Sequence, residues 1–398
     1  MVPDLLIVGG GVIGLCLADC ALREGLRILL IDKGPVAQEA SWAGAGMLTC
    51  RPRCRHHTEA EGAAQPDYHD LTGLSVQLYP KWSERLLAET GIDIGYRVCG
   101  ALEFVMHGPG AQSHTQDLSA LVATCNARGV NARELSTAQA CVLEPALSPE
   151  IASAAEFPDE AQVRSPWFTR ALCANVTRLG GEIRQGEEAA DIDLAIDTDS
   201  KRRRVQGIVL RNGQKLFAGA VAVCAGAWTG YFPSLAQVAP RSTKIKPVRG
   251  QMLRYQIAPD LTLSVAPASN RLSGRLLTCK NQYVVPRGDG VLLVGATHEN
   301  AGFNKTVTSE GCLELEEFAR AAVPELKRHR PLQRWAGLRP GLKGRHPMLG
   351  SVKDIHGLFI AAGHYRNGFT LAPVSAEVIV DMLLGRNPRI SLATWMES

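Results

Sequence analysis

The chain has 398 residues, more than one ordinary domain, with 45% apolar and 21% charged residues, which suits a globular protein with a sizeable core and excludes a disordered or low-complexity one. A formal charge of +4 is small for this length and points to no charged partner such as nucleic acid or an acidic membrane surface. Eleven scattered cysteines, an odd number, fit reduced thiols rather than a disulfide framework.

The first strand-like run begins by Asp4, so no signal peptide is expected ahead of it and the expected compartment is cytoplasmic. Leu5–Val8 breaks at once into Gly9-Gly10-Gly11-Val12-Ile13-Gly14, a strand feeding G-x-G-x-x-G. Gly9 suits the tight turn, Gly11 leaves room for a pyrophosphate to approach the backbone, and Gly14 lets the following helix pack on the strand. That helix shows apolar spacing through Arg23 and is closed by Gly25. A second buried strand, Arg27–Ile31, ends at Asp32, eighteen residues past Gly14, where a carboxylate accepts from ribose hydroxyls. An acid there favours an unphosphorylated adenosine ribose, hence FAD or NAD rather than NADP. Leu5–Leu22 is apolar enough to suggest a membrane span, yet four glycines and Asp19 interrupt it; no membrane association is expected.

Gly44-Ala45-Gly46-Met47 makes a small-residue loop, followed by a polar insertion to about Asp67. Within it, Cys50-x-x-x-Cys54-x-His56-His57 has zinc-ligand residue types, but the spacing matches no common pattern and Arg51, Arg53 and Arg55 would repel a cation, so no metal is expected. The pattern then predicts a helix over 68–90, strands at 96–98 and 101–106, a helix at 118–128, a helix at 167–179 and a strand from Glu182. Arg211-Asn212-Gly213-Gln214 joins 205–210 to 215–218 as a hairpin. Lys201–Arg204 is the only basic run and reads as a solvated turn, with nucleic-acid contact the weaker alternative. Strand 221–224 precedes Ala225-Gly226-Ala227-Trp228; alternating strands fill 244–297, a helix spans 311–323, and strand 358–363 leads to a closing helix at 372–384.

These motifs carry a resemblance over essentially the whole chain. Gly9–Gly14, Ala40–Leu48, Cys224–Trp228, Pro247–Gln251, Tyr283–Arg287, Trp335–Gly341 and Gly363–Gly368, in that order, resemble the FAD-dependent D-amino acid oxidase superfamily, and within it the bacterial glycine oxidases. The resemblance implies an α/β architecture: a Rossmann-type FAD-binding domain built from 1–75, 151–230 and 329–398, and a discontinuous mixed-sheet α+β substrate domain built from 76–150 and 231–328. It implies that Val12 and Ile13 sit at the pyrophosphate, Asp32 and Lys33 at the adenosine ribose, and Ala189 near the adenine. Ala40, Ser41, Ala45, Gly46 and Met47 would line the flavin, and His364, Tyr365, Arg366, Asn367, Gly368, Phe369 and Thr370 would wrap its far edge. Arg339, in a loop bounded by glycine and proline, suits a substrate carboxylate bidentately, with the Tyr283 hydroxyl as a second donor and Arg366 close by.

The implied reaction is flavin-dependent oxidative deamination of a small amino acid, glycine first, then sarcosine or small D-amino acids, to a 2-oxo acid, ammonia and hydrogen peroxide with dioxygen as acceptor. A role in supplying the glycine imine for the thiazole of thiamine is part of the same implication. Two departures bear on substrate. His298 stands where the glycine oxidases carry an apolar residue near the substrate, and Asn281 replaces a histidine two positions before the tyrosine. His298 is therefore expected on the pocket wall. The cysteine that tethers flavin in monomeric sarcosine oxidases has no counterpart near Gly344–Pro347, so FAD is expected to be non-covalent. A quinone-linked 2-hydroxy-acid dehydrogenase and a flavoprotein module in tRNA modification stay open as alternatives, as does a homo-oligomer.

Overall fold

The computed structural model describes residues 1–51, 66–196, 203–257, 272–342 and 346–390, with side chains of the first long helix described from Leu71 onward. Cys54, His56, His57, Lys201, Arg202, Gly344 and Arg345 lie outside the described residues.

The apolar run Leu5–Val8 is the centre of a six-stranded sheet in the order Met348–Ser351, Leu358–Ala362, Ala220–Val223, Leu5–Val8, Ile28–Asp32, Glu182–Gln185. All neighbours are parallel except the first pair. A parallel sheet is covered on both faces, which is why its strands read as continuous apolar runs rather than alternating ones. Leu5 and Ile7 face a layer of helices that includes Val12–Arg23, Ser165–Arg178 and Gly368–Leu383. Leu6 and Val8 face the other way, onto Ile192, Ile208 and Leu216 of an antiparallel ribbon, Ala189–Ile196, Arg203–Leu210 and Lys215–Phe217. The Asn-Gly hairpin is as expected: Gly213 has φ +85° and the flanking strands pair antiparallel.

A second, eight-stranded sheet runs Gln333–Gly341, Lys246–Gln256, Val291–Gly295, Gln282–Pro286, Leu276–Cys279, Ala101–Met106, Ile151–Phe157, Arg133–Leu135. Its membership corrects the expected division of the chain. Ile151–Phe157 pairs with Ala101–Met106, so the break expected at 150/151 falls after Phe157. Gln333–Gly341 pairs with Lys246–Gln256 along its whole length, so the third nucleotide segment begins beyond Gly341 rather than at 329. The break expected at 75/76 would cut the helix Pro66–Thr90, whose Leu71, Tyr79, Trp82 and Leu86 all pack in the core of the first sheet. Phe232, Leu235 and Ile245 likewise pack on the first sheet's side, moving the break at 230/231 to about 245. In each case the segment follows its strand pairing or buried face, which single-segment periodicity does not contain.

The opening helix is held by a buried carboxylate. Asp19 is fully buried and accepts from Arg85 Nη2 at 2.8 Å, Arg23 Nε at 3.2 Å and Asn175 Nδ2 at 2.5 Å. Three donors from three elements offset its desolvation, which an unpartnered charge would not survive.

The closing helix starts earlier than its apolar pattern suggests. It spans Gly368–Leu383 rather than 372–384 and contains Pro373. Proline has no N–H, so the carbonyl four residues back, that of Phe369, loses its intrahelical donor. The hydroxyl of fully buried Tyr79 donates to that carbonyl. The first turn can therefore stay helical despite the proline.

Tyr79→Phe is expected to strand the Phe369 carbonyl in a buried place and to lower unfolding free energy by about 1–3 kcal/mol. The check is the urea midpoint of the variant; an unchanged midpoint would mean that the proline is tolerated without this donor.

Candidate functional site

Two helix N-termini, at Val12 and Gly368, open onto one elongated cavity. Neither helix carries an acidic residue in its first turn, and the first N–H groups of a helix have no intrahelical acceptors. Gly9 has φ +109°, and a Cβ on it would lie 2.4 Å from the Cys224 carbonyl oxygen. A Cβ on Gly14 would meet the Gly9 carbonyl oxygen at 2.0 Å, which is the close helix-to-strand packing expected of that position. At Gly11 a Cβ would sit 3.2 Å from Ser41 Oγ, in the space before the helix. The Val12 N–H donates to Ser41 Oγ at 2.9 Å, leaving the hydroxyl proton directed elsewhere.

One half of the cavity, about 430 Å³, lies beyond the strand ends. Gly9, Asp32, Lys33, Ala189 and Trp228 line it. Asp32 Oδ2 accepts from Gly10 N at 2.8 Å and Oδ1 from Gly34 N at 2.9 Å, while burial pushes its carboxyl above the usual range. Lys33 Nζ lies 3.5 Å from the centroid of the Trp228 ring. Gly11, Ala40, Ser41, Cys224 and Gly226 line this half and the next one, so the two are continuous.

The other half, about 240 Å³, is lined by Val12, Ile13, Ala45, Gly46, Met47 and by His364, Tyr365, Arg366, Asn367, Gly368, Phe369 and Thr370. Residues 44–46 are gripped by their carbonyls. Gly44 O accepts from Ser165 Oγ at 2.7 Å, Ala45 O from Arg287 Nη2, and Gly46 O from Val163 N at 2.8 Å. Arg287 also donates to Gln162 Oε1 and Val163 O; burial lowers it to about 10, so it stays charged at neutral pH. Buried His364 bonds Ser375 Oγ through Nε2 at 3.0 Å, and burial holds its pKa at about 3, so it is a neutral wall. Tyr365 is a non-glycine residue at φ +51°, a backbone state seen mainly where surroundings impose it.

Arg339 and Tyr283 line this half as well, and glycines put them there. The two residues sit on strands separated by Lys246–Gln256 and Val291–Gly295. A Cβ on Gly250 would lie 2.2 Å from Arg339 Nη2, and one on Gly295 would lie 2.8 Å from the Tyr283 hydroxyl. Both side chains therefore lie flat across a bare strip of sheet. Arg339 Nη1 donates to the Thr297 carbonyl at 3.0 Å, and the Tyr283 hydroxyl rests 3.2 Å from Met252 Sδ.

His298 does not line the cavity as expected. It is exposed, its Nδ1 lies 2.5 Å from the Tyr365 hydroxyl, and Tyr365 supplies the wall. The strand carrying Gly295 ends before it, and the chain turns outward to pair Glu299 with Arg249. The second departure, Asn281, holds Arg366: its Oδ1 accepts from Nη1 at 2.5 Å and its carbonyl from Nη2 at 3.0 Å. Composition and spacing gave no sign of the grip by Arg287 and Asn281, because both act largely on or through backbone carbonyls.

Beyond Tyr283 the chamber has a polar end lined by Thr49, Arg51, Glu103, Thr278 and Gln282. Arg51 approaches Glu103 at 3.3 Å and Glu160 at 2.8 Å, and Thr278 Oγ1 donates to Glu103. Burial raises the Glu160 carboxyl to about 7.

With this geometry in place, comparison decides the family. The chain matches the FAD dependent oxidoreductase (DAO) family over residues 4–382. It belongs to that family. A glycine oxidase of Pseudomonas aeruginosa is 31% identical over 411 residues, covering 99% of this chain and 98% of its own. Another from Pseudomonas putida is 32% identical over 397 residues, covering 99% and 98%. The crystal structure of a glycine oxidase from Geobacillus kaustophilus superposes with TM-score 0.85 at 26% identity, covering 100% of this chain and 98% of that one. The fold class and the FAD cofactor expected from the motifs are thereby established. The residues fit the group: a dinucleotide needs a cavity running from a ribose-accepting acid past a helix N-terminus, and a side chain at Gly9 or Gly11 would obstruct it. Among the described residues no group of side chains could hold a metal ion, and no helix is long and apolar enough to cross a membrane.

Partial desolvation of the exposed ring's inner side and the positive charges of Arg339 and Arg366 lower the His298 pKa, which favours the neutral imidazole that shares a hydrogen bond with the Tyr365 hydroxyl through Nδ1. Protonation leaves the ring able only to donate and adds a third positive charge beside Arg339 and Arg366. Turnover per unit substrate is expected to fall as pH drops through the lowered His298 pKa, and His298→Gln should flatten that acid limb. Steady-state kcat/KM profiles of both forms between pH 5 and 8 give the answer; superimposable profiles would place His298 outside the machinery.

Proposed function

We propose that this FAD-dependent oxidoreductase oxidises the amine of a small amino acid, with glycine, sarcosine and small D-amino acids as its substrate class. The observation that carries the reading is the placement of Arg339 and the Tyr283 hydroxyl over a strip of glycine backbone, in the cavity half that Ala45, Gly46, Met47 and the Gly368 helix N-terminus also line. A guanidinium fork and a phenol fix a carboxylate in position and orientation, so that the adjacent carbon and amine are held in one geometry. Arg339 exchanges the Thr297 carbonyl for the stronger, charged acceptor. The Gly368 helix N-terminus and Arg366 supply positive potential where negative charge accumulates on reduction. No side chain need abstract a proton if the amine enters neutral, and neutral His364 is not placed to supply a base.

FAD, when bound, accepts two electrons and returns them to dioxygen as hydrogen peroxide. The amine becomes an imine and water converts it to a 2-oxo acid and ammonia; release of the glycine imine toward thiazole formation belongs to the same reading. Cys224, the cysteine among the described cavity-lining residues, is buried with its thiol raised to about 12, so no thiolate stands ready to tether the cofactor. FAD is accordingly expected in the yellow supernatant after acid precipitation, and flavin retained in the pellet would refute non-covalent binding. The polar end at Thr49, Glu103, Thr278 and Gln282 leaves room for a substituent beyond glycine, which makes the substrate ranking informative.

The deciding experiment is a peroxide assay of purified holoenzyme with glycine, sarcosine, D-alanine, D-proline and 2-hydroxyglutarate. Peroxide from the amino acids supports the reading; reduction by the hydroxy acid alone, with a quinone required, overturns it. Arg339→Ala should lower kcat/KM at least about 30-fold, the equivalent of about 2 kcal/mol, with Arg339→Lys recovering little. Wild-type efficiency in Arg339→Ala would remove the carboxylate role.

A further inference from the structure

The segment between Val291–Gly295 and the helix Ser309–Ala322 begins beside the substrate chamber and then leaves the second sheet. It is pinned twice. At its start, Arg249 and Glu299 exchange backbone hydrogen bonds at 2.9 and 3.0 Å and form a side-chain ion pair. At its end, Arg249 Nη1 donates to the Thr306 carbonyl at 2.9 Å, and Thr308 N donates to Gln251 Oε1 at 2.8 Å. Between the pins, residues 300–305 reach across to the dinucleotide half of the cavity.

Two side chains of that excursion make contact there. Phe303 stacks on Trp228 at 5.1 Å between centroids and meets Tyr231 edge-on at 5.2 Å. It lines the same cavity half as Asp32 and residues 187–190. Lys305 Nζ lies 3.0 Å from both carboxylate oxygens of Glu39, whose chain neighbours Ala40 and Ser41 sit at the junction of the two halves. An aromatic wall and an ion pair thus close one side of the adenosine end with residues belonging to the substrate-binding sheet's own connection. The nucleotide-binding motif needs neither.

We propose that residues 300–305 form a clasp that retains FAD by covering the adenosine half of its cavity, with Phe303 as the wall and Lys305–Glu39 as the latch. The clasp rests on the FAD family alone and is independent of which substrate is oxidised. Its physical basis is plain: removal of Phe303 exposes the Trp228 face and opens the cavity side, and loss of the latch removes one of the tethers of an exposed segment otherwise held at 299, 306 and 308 and by Phe303 itself.

The test is the rate at which diluted holoenzyme releases FAD, followed by the rise of free-flavin fluorescence. Phe303→Ala should release FAD about tenfold faster, with Phe303→Tyr close to wild type because the ring is kept. Lys305→Ala should accelerate release by about two- to fivefold at low salt, an advantage that fades as salt screens the wild-type pair. Wild-type release rates in Phe303→Ala overturn the clasp. Should Phe303→Ala fail to fold, exposed Lys305→Glu replaces it, and a release rate equal to wild type in that variant is equally fatal.

Discussion

Two helices aim their N-termini into one cavity, and neither places an acid in its first turn. This convergence of positive helix ends is the constraint from which the rest of the molecule follows. It requires Gly14, where a side chain would drive the opening helix off Leu5–Val8, and Gly9, where one would collide with the Cys224 backbone. It requires an acceptor near Val12, which Ser41 provides. At the other end it requires the closing helix to begin at Gly368 although Pro373 lies inside it, and Tyr79 meets that need from a helix almost three hundred residues earlier in the chain. An anionic dinucleotide is the complement of such a field, so the cofactor completes an electrostatic arrangement that the protein backbone has already fixed.

The parts legible in the sequence are those whose physics is local. Strand, glycine turn, helix and terminal acid from Leu5 to Asp32 follow from period and turn chemistry within a span of thirty residues, and the structure reproduces them. Partition of the chain was less legible because it depends on partners far away: Ile151–Phe157 belongs to the second sheet by pairing with Ala101–Met106, and Gln333–Gly341 by pairing with Lys246–Gln256. The start of the closing helix was hidden for a related reason. Glycine at 368 and proline at 373 are breakers by propensity, and distant hydroxyls compensate for the proline: Tyr79 donates to the Phe369 carbonyl it leaves unpaired, and Ser75 accepts from Val374 N.

Glycine also explains why Tyr283 and Arg339 reach the same chamber. Three strand spacings, roughly 14 Å, separate the backbones of Tyr283 and Arg339. Ordinary side chains on the two intervening strands would keep them apart. Gly250 and Gly295 leave the sheet bare, so each long side chain lies inward over its neighbour's backbone in a shape set by packing rather than by a mobile loop. Orientation imposed in this way is already present before any ligand arrives, which is the condition under which positioning contributes to rate.

Three arginines near this cavity show how identical groups acquire different roles from their acceptors. Arg287 donates to Gln162, Val163 and Ala45, and burial lowers its pKa to about 10, so its charge serves the loop at 44–46. Arg366 is oriented by both the side chain and the carbonyl of Asn281, so Asn281 aims it. Arg339 donates to the single carbonyl of Thr297 and lies exposed to the chamber over Gly250. A fork engaged by one neutral acceptor retains donors for a carboxylate, whereas a fork divided among three fixed acceptors does not. The distribution of acceptors, more than the presence of arginine in a motif, is what leaves one fork with donors to spare and the other without.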